Sequence, residues 1–317
     1  MTCELGRGGR RAGSRHALSL LDGGRASRGG LDPGAPLPCH LLATFSGMES
    51  ATPFDFWQSC PRGGDPDSRC HLLRSQHRLL WSRALPNGRQ FELEDRFPDG
   101  YLRLTSGEVT MNLSSDSIIP TYASYKRDQA RAARAGVAAD LLEAFEALSG
   151  GIGGMVLFPG FRVGGEPSIN QARGTTSQIG DRMDLTLECI RRHYLAQADP
   201  LVKLTSPLAE TLLRYSSFFD LFEDFETYVA HFLLQDLVVD GEVLLFLPLE
   251  EFKRSGLPRD SDEYREYMRL TSTFIFMRND RMRELIPEIA RHDGVVARSA
   301  AGPCDGKGCA RRYAEGA

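Results

Sequence analysis

The sequence predicts an α+β fold, with a mixed or antiparallel sheet that begins as an N-terminal β-meander and is covered by several amphipathic helices. Two observations carry this reading. Short runs of alternating apolar and polar residues come first, and segments of helical period dominate after them, an order that fits helices laid over one sheet.

Along the chain, residues 67–81 place Cys70, Leu73, His77 and Leu80 at helical spacing, and Pro86-Asn87-Gly88 then turns the backbone. Three alternating runs follow at 90–96, 101–105 and 109–113, separated by Pro98-Asp99-Gly100 and Ser106-Gly107, which is the pattern of a β-meander. Residues 137–148 predict a helix ended by Gly150-Gly151, and 155–158 a buried strand closed by Pro159-Gly160. A long polar loop leads to a helix beginning near Asp181, then to a helix at 208–215, a long helix over 218–238, a strand at 243–247 and a terminal helix over 261–286.

The helix expected at 218–238 carries Phe218, Leu221, Phe222, Phe225, Tyr228, Val229, Phe232 and Leu233 on one stripe, with Asp220, Glu223, Asp224 and Glu226 elsewhere on its surface. An aromatic core helix with a solvated acidic face explains that pattern, and it gives His231 a structural role. The terminal helix opens with Asp260 and Glu263 in capping-box spacing and closes with Arg281 and Arg283, where the helix dipole favours cations.

These elements make one globular domain over 48–289. Residues 1–47 form an Arg/Gly-rich arm, holding ten of the 32 glycines with almost no apolar periodicity, so the segment cannot offset the entropy of folding. Met48 offers an alternative start, and residues 290–317 form a small, polar tail. The net charge of -4 provides no global basic field for nucleic acid, and only four of the 38 basic residues are lysine. No run of about 18 apolar residues marks a membrane helix. Seven cysteines, without the dense spacing of a disulfide scaffold, fit free thiols in a reducing cytoplasm. Cys304 and Cys309 lack a second pair for zinc, and His71 and His77 fall on different helix faces, so no metal site is assigned.

The segment that could carry chemistry runs from Gly164 to Tyr194. Arg173, Gly174, Thr175, Thr176 and Ser177 precede a helix start, where free backbone N–H groups attract anions and an arginine can grip a phosphate or carboxylate. The same stretch also fits a surface loop capped by Thr175 with Gln178. On the helix, Asp181, Asp184, Glu188, Arg191 and Arg192 fall within one arc of roughly 100°, opposite Met183, Leu187, Ile190 and Tyr194. Three carboxylates on one arc can bind a divalent cation through oxygen or serve as general base, while the two arginines stabilise developing negative charge. Equally, Asp181 and Asp184 fit an N-cap and its capping box, and Glu188 with Arg192 an i,i+4 ion pair. Asn170 and Arg173 on the loop could face the cavity of Asp184, Glu188 and Arg192. The candidate set is therefore Asp184, Glu188 and Arg192 as catalytic residues, with Asn170, Arg173, Thr175 and Arg191 as ligand-binding residues.

No Gly-x-Ser-x-Gly elbow, His-Glu-x-x-His, Walker, dinucleotide-binding, kinase or Cys-x-x-Cys pattern accompanies them. The strings SINQARG, IGDRMDLTLECIRRHY, FFDLFEDFETYVAHFLLQDLV and LFLPLEEF, in that order, resemble a bacterial, actinobacterial-type family known only as a domain of unknown function. The resemblance spans residues 53–281, with Met183 where the family pattern leads us to expect Phe and the arm outside it. It implies one compact bacterial cytosolic domain and carries over no activity, cofactor or catalytic residue. Function read from the residues themselves is first a cytosolic phosphate-ligand or nucleic-acid-processing enzyme using the loop and helix, with a phosphate-bearing small molecule or RNA as partner. A non-catalytic binding or interaction protein is the alternative, and a toxin-like or phage-defence protein acting on RNA the third reading.

Overall fold

The computed structural model of the chain describes residues 70–96, 101–119, 128–199, 201 and 205–292. The expected arm at 1–47, the alternative start at Met48, most of the expected tail with Cys304 and Cys309, and residues 67–69 of the first expected helix lie outside the described residues.

Helix α1 (His71–Trp81) begins where Cys70 caps it, the thiol sulfur accepting the Leu73 N–H at 3.5 Å. Its inner face buries Leu73, His77, Leu80 and Trp81. A short strand β1 (Arg83–Ala84) leads through the turn at Gly88 into β2 (Gln90–Asp95), β3 (Leu102–Ser106) and β4 (Val109–Ser117), which form the expected meander. Leu93 stands opposite Leu104 and Leu104 opposite Met111, so the apolar residues gather on one face. Arg103, Thr105, Thr110 and Asn112 take the other, as the period of two requires. The turn between β3 and β4 uses the positive φ of Gly107 (59°), which glycine adopts without a Cβ clash.

Strand β4 runs four residues past the alternation that marks it in the sequence. Ser114, Ser115, Asp116 and Ser117 continue it, pairing antiparallel with β5 (Met155–Pro159) through Ser115↔Leu157 and Asp116↔Val156. That polar tetrad reads as loop because nothing in it is apolar; its backbone groups are satisfied by β5. The expected strand β5 is buried along its whole length, and the finished sheet is antiparallel in the order β1-β2-β3-β4-β5.

Around the sheet lie α2 (Asp128–Ala135), which is absent from the expected elements, α3 (Ala139–Ala147), α4 (Ile169–Thr175), α5 (Met183–Ala198), α6 (Ala209–Arg214), α7 (Ser216–Phe219), α8 (Phe225–His231) and α9 (Ser261–His292). Two expectations are corrected. The long helix at 218–238 is instead α7, a 3-10 turn, α8 and a second 3-10 turn. Glu223 (φ 37°) and Leu233 (φ 54°) break the helical path, and Asp224 opens α8 by accepting the Thr227 N–H at 2.7 Å. The aromatic stripe nevertheless goes into the core, where Phe222, His231 and Phe232 pack with Trp81 and Phe91. The expected strand at 243–247 shrinks to β7 (Glu242–Val243), hairpinned to β6 (Val238–Val239) across Asp240-Gly241, both at positive φ as a two-residue turn prefers. Phe246 and Leu247 are buried without belonging to a strand.

Helix α9 opens as expected on Asp260, whose carboxylate accepts the Glu263 N–H at 2.9 Å, and it buries Tyr264, Tyr267, Phe274, Ile275, Arg278 and Met282. The fully buried Arg278 donates to the carbonyls of Gly153 (3.0 Å), Met155 (2.6 Å) and Phe232 (3.0 Å). Among the described residues no helix is long and apolar enough to cross a membrane.

Candidate functional site

Residues 169–175, expected as loop, are helix α4. Ser168 caps it with a complete capping box: its hydroxyl accepts the Gln171 N–H at 3.4 Å, and Gln171 Oε1 accepts the Ser168 N–H at 3.3 Å. This corrects the anion-site argument made for Arg173 to Ser177. Arg173 and Thr175 occupy the last turn of a helix, where the dipole favours cations, and not the positive end of the next one. The expected N-cap at Asp181 is also displaced. Asp181 holds φ 66° in a turn, and Arg182 is the N-cap residue of α5 without a side-chain cap.

The seven candidate residues separate into five surroundings. Asn170 donates to the Ser114 hydroxyl on β4 at 2.9 Å. Arg173 is fully buried, donating from Nε to Thr186 on α5 (2.9 Å), from Nη2 to the Asp181 carbonyl (3.0 Å) and from Nη1 to the Asp116 carboxylate of β4, with Asp181 Oδ1 3.7 Å from the same nitrogen. Burial, opposed by the Arg173 cation and reinforced by the Asp181 carboxylate, raises Asp116 to about 7. The Asp116 side chain keeps 22% of its surface in solvent.

Asp184, at the start of α5, is 0% exposed. Both of its oxygens accept from the Arg182 guanidinium, and Oδ2 also accepts the Phe246 N–H at 2.9 Å. Arg182 in turn donates to the carbonyls of Gly256 (3.1 Å) and Leu247 (3.4 Å). The pair is a brace between the head of α5 and the 246–256 segment. That segment comes so close that a Cβ on Gly256 would lie 2.4 Å from the Ile179 carbonyl oxygen.

One turn further along α5, Glu188 accepts from Arg191 Nε (2.8 Å) and Arg192 Nε (2.7 Å). Arg191 also pairs with Glu242 at 2.9 Å, and Arg192 with Glu251 at 3.3 Å while its guanidinium lies 5.0 Å over the Phe252 ring. Of the polar arc expected here, Asp184, Glu188, Arg191 and Arg192 lie on α5 and Asp181 does not, and the chain between Glu242 and Gly256 covers them. Asp184, Glu188, Arg191 and Arg192 face protein, and they do not share a cavity with Asn170 and Arg173.

Thr175 is the candidate residue that borders open space. A groove of about 470 Å³ lies between α4 and α6, within the size range of small-molecule sites. Its hydroxyls are Thr175, Thr176, Thr205, Ser206 and Thr211, and its charged lining is Glu166, Glu210 and Arg214. Arg214 donates to the Thr211 hydroxyl (3.1 Å) and the Pro167 carbonyl (3.4 Å). Among the described residues no carboxylate pairs with it, and its Nε is shielded from solvent without an acceptor. Nothing in the sequence distinguishes Arg214 from the other arginines.

A second feature missed in the sequence is the contact between His77 and Ser115. Trp81 Nε1–H donates to His77 Nδ1 at 3.0 Å, which leaves the proton of the neutral ring on Nε2, 3.0 Å from Ser115 Oγ. Burial, aided by the Arg278 cation, lowers His77 to about 3 and keeps it neutral. In this tautomer the histidine donates to the serine and cannot act as its base, so the pair is a buried tie between α1 and β4.

Among the described residues no group of three His, Cys, Asp or Glu could hold a metal ion. No curated protein and no solved structure matches the chain. The model of a family of unknown function, DUF6994, matches residues 50–282. That match takes in the sheet, the helices α1 to α8, most of α9 and the groove, and by it the chain belongs to the DUF6994 family.

Proposed function

We propose that this protein binds a small, hydroxyl-bearing molecule carrying a phosphate or carboxylate group in the groove between α4 and α6, with Arg214 gripping the anion. The observation that supports this is the state of Arg214: an arginine on the wall of a groove, without a carboxylate partner among the described residues, its Nε dry and without an acceptor. A desolvated guanidinium donor left unpaired costs free energy that a bidentate oxyanion would recover. The hydroxyls of Thr175, Thr176, Thr205, Ser206 and Thr211 can each donate and accept, which suits sugar or polyol hydroxyls. The phosphate-ligand reading of the sequence is kept in this form but moved, since Arg173 and the α5 arc are engaged elsewhere. An enzyme acting on such a ligand would draw its acid or base from Glu166 or Glu210, the carboxylates on the groove wall.

The test is a thermal-shift panel on the full chain, using sugar phosphates, nucleotides, hydroxy acids and short RNAs. A ligand at a hundred times its dissociation constant stabilises by about 2.7 kcal/mol, which for a domain of this size is roughly 5–10 °C. The expected result is a shift with one of the small anions that disappears in Arg214→Ala. A shift produced only by RNA and indifferent to Arg214 would replace this reading with the RNA one, and silence across the panel would refute it.

A further inference from the structure

The floor of the groove is α4, which contributes Ala172 and Thr175, and one guanidinium fastens α4 to the sheet. Two carboxylates converge on Arg173 Nη1: Asp116 from β4 and Asp181 from the turn before α5. The described charged and titratable groups that face them are few. Strand β4 offers Asp116, with the Ser117 N–H 3.0 Å from its Oδ1; α4 offers Arg173; the turn offers Asp181; α8 offers Tyr228, whose phenol burial keeps neutral; β5 adds only the Phe158 ring, 5.5 Å from the guanidinium carbon. Asp181 Oδ1 is buried and has no hydrogen-bond partner, on a residue held at φ 66°.

We propose that Asp116, Arg173 and Asp181 form a proton-operated latch that holds α4 against the sheet while Asp116 carries a proton and loosens it when Asp116 is ionised. The latch regulates the groove, and in that respect it rests on the groove being a ligand site. One arginine compensates one carboxylate; the second, poor in water, must bind a proton or be destabilised. Burial and Asp181 keep Asp116 at about 7 in the fold, against 3.8 for the free side chain. Because the folded state holds this proton more tightly, its stabilising effect is complete below about pH 3.8, is lost progressively as pH rises to about 7, and changes no further above that.

The experiment compares urea unfolding and amide exchange of α4 in the wild type, Asp116→Asn and Asp181→Asn between about pH 5 and 8, with sulfate, which does not titrate in this range, as groove probe. The folding constant of the wild type should fall relative to Asp116→Asn by up to about tenfold per pH unit below about pH 7 and then level off. The α4 amides should exchange faster in the upper range in the wild type alone, and Asp181→Asn should move the break to lower pH. If Asp116→Asn does not fold, the carbon resonance of the Asp116 carboxyl in the wild type decides: titration near neutrality supports the latch, and titration below about pH 5 overturns it. A pH-independent ratio of folding constants also overturns it. Sulfate separates the two readings: stabilisation lost in Arg214→Ala, with α4 indifferent to pH, retains the groove and ends the latch, whereas a pH-sensitive α4 without any sulfate effect retains the latch and ends the groove.

Discussion

Replacing Asp184 with alanine tests whether the most prominent carboxylate of the sequence is a brace. The substitution removes both contacts to Arg182 and the acceptor of the Phe246 N–H, and leaves the Arg182 cation, 1% exposed, with the carbonyls of Gly256 and Leu247 and the Tyr267 ring among its remaining partners. Breaking a buried pair from one side costs about 3–5 kcal/mol, and the orphaned N–H adds about 1 kcal/mol. The sum, about 4–6 kcal/mol, is a large part of the roughly 5–15 kcal/mol by which a domain is stable. At about 2–4 °C per kcal/mol it corresponds to a fall in Tm of roughly 10–20 °C. Circular dichroism melts and urea titrations read it directly. Replacing both partners, Arg182→Met with Asp184→Leu, should recover most of the loss because no uncompensated charge remains. An Asp184→Ala protein that melts within about 3 °C of the wild type would refute this account and return Asp184 to the list of residues kept for chemistry.

Other outcomes follow from the same geometry. Glu188→Ala should cost less than Asp184→Ala, because Arg191 and Arg192 retain Glu242 and Glu251 as partners near solvent; paired urea titrations of the two variants check the order. Gly256→Ala places a methyl group 2.4 Å from the Ile179 carbonyl oxygen and should destabilise by about 1–3 kcal/mol or misfold, measured as a lower Tm. His77 is depressed from 6.5 to about 3, so its contribution is complete above about pH 6.5 and is lost as pH falls towards 3. A His77→Gln protein should therefore show a shallower acid limb in its stability curve. Over the middle of that range the slope from His77 opposes the one from Asp116, so single variants are needed to separate them.

Where periodicity met burial on one face, the sequence was readable: Leu93, Leu104 and Met111 alternate because only one side of the meander is dry. It failed where polar residues were buried. Ser114 to Ser117 carry no apolar signal, so the strand end holding Asp116 was invisible, and with it the partner that occupies Arg173. Helical spacing places Asp184, Glu188, Arg191 and Arg192 on one side of α5, but which face of a helix meets solvent is decided by the segment packed on it, here Glu242 to Gly256. Helix α4 is marked in the sequence by Ser168 and Gln171 at capping-box spacing, a signal that the glycines and the proline before them obscure. The break at Glu223 had no signal beyond Asp224, a good cap residue in a stripe that otherwise never loses its period.

The buried Arg278 has a consequence for the order in which the molecule is made. Its guanidinium closes on the carbonyl of Met155, 123 residues earlier in the chain, and on that of Phe232. During synthesis β5 leaves the ribosome long before α9 does, so the Gly153 and Met155 carbonyls and the side of α1 that α9 covers wait for a distant segment. Such a domain matures late, as a unit, and the interval before α9 docks is when a chaperone would find those groups exposed.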